Sequence, residues 1–113
     1  MKLKTRKEDG DVAVLEMKGK VMGGPDFTLF NDELHQLVDE GIKKFVFDLS
    51  GVTWMNSSGL GILISGLTTI RNNGGELRLA SITKKIESLF MITKLVTIFD
   101  TRDSVEEAIK SFN

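Results

Sequence analysis

Residues 45–61 read Phe45-Val46-Phe47-Asp48-Leu49-Ser50-Gly51-Val52-Thr53-Trp54-Met55-Asn56-Ser57-Ser58-Gly59-Leu60-Gly61. Two signals meet in this stretch. The run Ile42 to Leu49, centred on Phe45-Val46-Phe47, is apolar almost without a break until Asp48, the pattern of a strand covered on both faces in a parallel sheet. Asn56, Ser57 and Ser58 then crowd a helix start, and Leu60, Leu63, Ile64, Leu67 and Ile70 draw an apolar stripe as far as Asn72, where Asn73-Gly74-Gly75 is a natural stop. Gly59, Gly61 and Gly66 lie inside that helix. Each costs a helix interior about 1 kcal/mol relative to alanine, so close approach of backbone to the sheet or to a partner is the expected compensation.

On the N-terminal side, Lys2 to Lys7 and Val12 to Lys18 are β-compatible runs around Glu8-Asp9-Gly10-Asp11, whose Asp-Gly step predicts a β-hairpin. Gly23-Gly24-Pro25-Asp26 opens a helix, with Pro25 suited to the first helical position and Asp26 to the positive end of the dipole. Phe27, Phe30, Leu34, Leu37 and Val38 form its stripe and Gly41 its stop. On the C-terminal side the pattern predicts a strand at Glu76 to Ala80, a helix from about Thr83 to Thr93 carrying Ile86, Leu89, Phe90 and Ile92, and a short strand at Val96 to Phe99. A final helix follows, capped by Asp103 with Glu106 three residues on and turning Val105, Ala108, Ile109 and Phe112 inward. Strands alternating with helices argue for an α/β fold with a largely parallel sheet.

The chain of 113 residues, 41% hydrophobic and 27% charged, falls within the size of one domain spanning 1–113. It has no cysteine, which removes disulfides, thiolate nucleophiles and zinc knuckles, and its single histidine, His35, removes most imidazole metal sites. No cofactor and no metal are expected. No apolar run reaches the roughly 18 residues of a membrane span. A net charge of −1 supplies no broad field for nucleic acid. Lys2, Lys4, Arg6 and Lys7 form a local basic cluster that reads as the solvated, aggregation-resistant edge of a sheet. Neither a nucleic-acid nor a membrane partner is expected, and the lack of cysteine and of a signal peptide points to the cytoplasm.

Catalytic motifs fail one by one. A hydrolase elbow needs Gly-x-Ser-x-Gly, but Met55 stands two residues before Ser57 and Asn56 two before Ser58. A triad needs a base, and His35 sits on a different helix, off its apolar stripe. Gly59-Leu60-Gly61 begins a dinucleotide fingerprint whose third glycine would fall where Ile64 stands, and no Gly-Lys-Ser/Thr exists. No spacing joins Asp26, Asp48 and Asp100 into an acid/base pair. What remains is a helix N-terminus with unpaired N–H groups and two hydroxyls, of which one side chain among Asn56, Ser57 and Ser58 suffices for capping. A phosphate there would be stabilised by the dipole and would add roughly two negative charges to the surface, enough to expel a partner fitted to neutral hydroxyls.

The run Asp48 to Gly61 resembles the signature of the STAS domain of bacterial anti-sigma-factor antagonists, in which a strand leads through an Asp-Ser-Ser-Gly-Leu-Gly turn into a helix. Gly74-Gly75-Glu76-Leu77-Arg78-Leu79-Ala80, Ile86-Glu87-Ser88-Leu89-Phe90, the opening hairpin and Gly19 are similar to the family as well. The resemblance implies a STAS fold, a mixed and mostly parallel sheet of four to five strands with about four helices, opening with a β-hairpin. It also implies a non-enzymatic partner switch. The unphosphorylated protein binds an anti-sigma factor that is a serine kinase, phosphorylation of the first serine, Ser57, turns it off, and a metal-dependent serine phosphatase restores it. On this reading Asn56, Ser58, Gly59 and Gly61 shape the docking surface, flanked by Gly23, Gly24 and Asp26. Asn56 stands where many members carry aspartate, a loss of charge that bears on kinase recognition. Two other readings of the same residues are a small-anion or nucleotide module at the helix N-terminus and a non-switching STAS subunit of a larger assembly.

Overall fold

The computed structural model describes residues 1–8 and 10–112, so the Asp9 part of the predicted Asp-Gly turn lies outside the described residues. Strands β1 (Lys2–Glu8) and β2 (Val12–Val21) pair antiparallel in the register Lys2↔Lys18 to Glu8↔Val12, with Gly10 at φ +82° and Asp11 at φ +58° in the turn between them. Helix α1 (Pro25–Asp39), strand β3 (Lys44–Met55), helix α2 (Ser57–Asn72), strand β4 (Glu76–Ala80), helix α3 (Lys84–Ile92), strand β5 (Thr101–Arg102) and helix α4 (Val105–Lys110) follow. The sheet order is β1-β2-β3-β4-β5, antiparallel at β1–β2 and parallel elsewhere. The mixed, mostly parallel sheet opening with a hairpin is the predicted one.

The central strand is buried on both faces, as its apolar run requires. Phe45, Phe47 and Leu49 face a core built with α1, α2 and α3, while Val46 faces a smaller core of Val12, Val14, Ala80 and Ala108 under α4. Phe30 of α1 meets Phe47 edge-on, with ring centroids 5.1 Å apart. Gly66 of α2 sits on this pair, where a Cβ would lie 3.1 Å from both rings, so the glycine permits the helix to approach the sheet closely.

Four expectations are corrected. Strand β3 does not stop near Leu49 but runs to Met55, because the buried Asp48 carboxylate accepts the Ser50 N–H at 3.0 Å and β2 follows it through two register shifts. Val96 to Phe99 is not a strand. Lys94 takes a left-handed conformation at φ +61° and Leu95–Thr97 forms a single 3-10 turn, which brings Leu95 and Phe99 inward and leaves Val96 and Ile98 exposed; the pairing falls to Thr101–Arg102. The cap of α4 is Ser104, whose Oγ accepts the Glu107 N–H at 3.1 Å, so the Ser-x-x-Glu spacing one residue beyond Asp103 is the one used. In the helices, Ile62 and Gly59 are buried in place of Ile64, and Phe27 and Ile92 are exposed, the latter at 80%. Leu60, Leu63, Leu67 and Ile70 keep their inward places, and the close contacts of Gly59 and Gly66 set the rotation that turns Ile62 inward and Ile64 outward.

Ion pairing is concentrated at the surface. Asp100 is held below its ordinary carboxylate range by the hydrogen bond from Arg102 and by the charge of Arg78, and Glu16 is lowered by Lys18 first, with Arg6 and Lys4 adding to it. Arg78 also lies 4.5 Å from the centre of the Phe112 ring, which ties the α4 end to β4.

Candidate functional site

Strands β2 and β3 are parallel and end level with each other, Val21 paired with Met55. The loops that leave them, into α1 and into α2, therefore meet on one rim of the sheet, the usual place for sites in open parallel sheets. Asn56 N–H donates to the Val21 carbonyl at 3.4 Å and joins the two.

Asn56 is the N-cap of α2. Its backbone is extended at φ −104° and ψ −175°, its Oδ1 accepts the Gly59 N–H at 2.8 Å, and its carbonyl accepts the Leu60 N–H at 2.9 Å. Capping is thus completed by the residue before the serines. Ser57 and Ser58 occupy the first two helical positions, both exposed, and among the described residues neither hydroxyl makes a hydrogen bond within the chain. The amide oxygen used by Asn56 has an equivalent in aspartate. Asn56→Ala is expected to lower stability by about 1 kcal/mol. Asn56→Asp should match or slightly exceed the parent, since a carboxylate keeps the bond and gains from the helix dipole. Urea unfolding of the three proteins checks both statements.

The remaining predicted residues divide by position. Gly59 is buried, and a methyl group there would run into the Val21 carbonyl oxygen and come within 2.8 Å of Met55 Cγ. Its smallness serves the packing of α2 on the β2 end, so it lies beneath the surface rather than on it. Gly61 is exposed with no atom within 4 Å of a Cβ placed on it, and is open to an approaching partner. Gly23, at φ +87°, is buried against Ser58: a Cβ there would lie 2.6 Å from the Ser58 Cβ. Gly24, at φ +59°, is exposed and starts α1 without a side-chain cap. Asp26 turns back into the loop, where its Oδ2 accepts the Met22 N–H at 3.1 Å. The rim therefore brings Asn56, Ser57, Ser58, Gly61, Gly23 and Gly24 together, with Gly59 and Asp26 holding it from below and behind.

Beside this rim lies a cleft of about 430 Å³ lined by Lys20, Met22, Thr53, Trp54 and Lys85. Sequence reading missed it. Lys20 and Trp54 are register partners across β2 and β3, and with β3 taken to end near Leu49 nothing placed Trp54 opposite a lysine. His35 is exposed on α1. Among the described residues no group of three or more His, Asp or Glu is arranged to hold a metal, and no helix is long and apolar enough to cross a membrane.

Three comparisons bear on this arrangement. The family model of the STAS domain matches residues 4–108. The anti-sigma-B factor antagonist of Bacillus subtilis is 31% identical over 82 residues, covering 73% of this chain and 74% of the relative. The crystal structure of a Thermotoga maritima protein, described as a candidate anti-sigma factor antagonist, superposes with a TM-score of 0.83 at 27% identity, covering 96% of this chain and 92% of that one. The Bacillus cell fate determinant SpoIIAA, solved in its phosphorylated form, superposes with a TM-score of 0.76 over 99% of this chain and 100% of its own; at 14% identity this is a likeness of fold.

Proposed function

The chain belongs to the STAS domain family, and from that premise we propose that it is an anti-sigma-factor antagonist, a partner switch set by phosphorylation of Ser57. Unphosphorylated, it binds an anti-sigma factor across the rim where α1 and α2 begin. The anti-sigma factor is itself a serine kinase, a metal-dependent serine phosphatase reverses its action, and all three work in the cytoplasm. The observation that carries this reading is the division of labour at α2: Asn56 caps the helix, so both serine hydroxyls stand exposed and unengaged. Hydroxyls that merely capped the helix would be bonded to its first N–H groups.

Phosphorylation forms a bond from Ser57 Oγ to the γ-phosphorus of ATP and breaks the bond from that phosphorus to the bridging oxygen; ADP leaves and the hydroxyl proton is lost to solvent or a kinase base. The product phosphate lies at the positive end of α2, which stabilises it without disturbing the cap. Ser58 backs onto Gly23 and is hemmed by the neighbouring loop, which favours Ser57 as the acceptor. No step asks the chain to catalyse anything.

The test is incubation with ATP and the serine kinases of the source organism, followed by peptide mass mapping. Addition of one phosphate at Ser57, absent in Ser57→Ala, is the expected result. Exclusive modification of Ser58, or no kinase able to modify Ser57, sinks the reading.

A further inference from the structure

We infer that the cleft beside the switch rim is a second docking element that takes an acidic segment of the protein partner, anchored by an apolar side chain against Trp54. The inference rests on the partner-switch reading for the identity of the partner, though not for the chemistry of the cleft. Its five lining residues come from three elements and the loop after β2: Lys20 from β2, Met22 from that loop, Thr53 and Trp54 from β3, Lys85 from α3. Two are cationic and none is acidic, in a chain whose net charge is −1. Neither lysine forms an ion pair among the described residues, whereas Lys7 pairs with Glu40, Lys18 with Glu16 and Lys110 with Glu106.

The apolar part is equally specific. Trp54 is 38% exposed and Met22 44%, two large side chains left partly uncovered on one cleft where β3 runs beyond its pairing with β4. Aromatic side chains in such partly lined hollows are the usual anchors of protein interfaces, and a rim of unpaired cations selects carboxylates. The cleft is continuous with the serines along the chain, since Met22 precedes the Gly23 that backs Ser58 and Trp54 lies three residues before Ser57. An acidic partner also makes the switch sharper: a phosphate added on the same rim repels the charge that the lysines attract.

Trp54 is the sole tryptophan, so its emission reports the cleft directly. The folded protein is titrated with a short synthetic peptide alternating glutamate and leucine, with its lysine-for-glutamate counterpart, and with a single-stranded oligonucleotide. The acidic peptide is expected to shift Trp54 emission to the blue, and Lys20→Glu with Lys85→Glu to weaken that response roughly 10- to 100-fold without changing the melting temperature. Against the kinase partner, Trp54→Ala should cost about 30-fold in affinity. No response to the acidic peptide, an equal response to the basic one, or preferential binding of the oligonucleotide overturns the inference. Loss of the kinase complex in Ser57→Asp with full binding by the charge-reversed protein removes the cleft and keeps the switch. The opposite pair of results removes the switch and keeps the cleft.

Discussion

Ser57→Asp is expected to weaken the complex with the anti-sigma factor by roughly 100-fold, about 2.7 kcal/mol, as measured by titration calorimetry. The magnitude follows from placing a permanent negative charge within the proposed interface of two neutral hydroxyls and the open backbone of Gly61, where like-charge or unpaired-charge contacts cost several kcal/mol. The same change should leave the melting temperature unchanged or slightly raised. Ser57 occupies the first position of α2, is exposed, and supplies no cap, so the new carboxylate meets only the helix dipole, worth about 0.3–1 kcal/mol in its favour. Ser57→Ala completes the set: affinity should be retained and phosphorylation lost. Binding by Ser57→Asp at the parent affinity would remove the switch, whatever the phosphosite maps show.

The second large effect is on the fold. Gly59→Ala should destabilise the protein by about 3 kcal/mol, the upper part of the range for overpacking, because the added methyl meets the Val21 carbonyl and Met55 at once. Backbone on one side and a packed side chain on the other leave little room to yield. For a domain of this size the loss corresponds to a fall in melting temperature on the order of 12 °C. Gly61→Ala, two residues on, should do the reverse and add about 0.5–1 kcal/mol, since its Cβ would enter open space and the helix would exchange its most flexible residue for its best former. A calorimetric scan of the pair separates a glycine required by packing from one retained at the surface. If both substitutions move the melting temperature the same way, the assignment of Gly59 to the buried contact is wrong.

That pair also shows where reading the sequence reaches its limit. Three glycines in α2 announced close approach, and all three could be placed on one helix. Which of them faces the sheet depends on the rotation of α2, and that is decided by Gly59 against Val21 and Gly66 against Phe30 and Phe47, contacts between elements far apart in the chain. The period of the large apolar residues alone put Ile64 inward, where Ile62 lies. The central strand and the start of α2 were legible because each signal is local: an apolar run for the strand, and Asn and Ser at a helix start. The end of β3 was not, because Ser50-Gly51 breaks the apolar pattern and only the matching shift in β2 shows that pairing continues. Since Trp54 lies in that hidden extension, the cleft was hidden with it. Residues 96–99 failed for a different reason. Val, Ile and Phe favour strands, yet a left-handed Lys94 starts a tight turn that buries Leu95 and Phe99 together, so tertiary packing overrode propensity.

The cap supplied by Asn56 has a consequence for how long the protein lasts. In the proposed switch the Ser57 side chain takes no part in the cap of α2, so adding phosphate should not raise the equilibrium fraction of unfolded chains, and the helix dipole should lower it by a factor of about 2 to 5. Degradation in cells draws on that fraction. The phosphorylated pool should therefore be cleared no faster than the unphosphorylated one, so switching the protein off does not also deplete it.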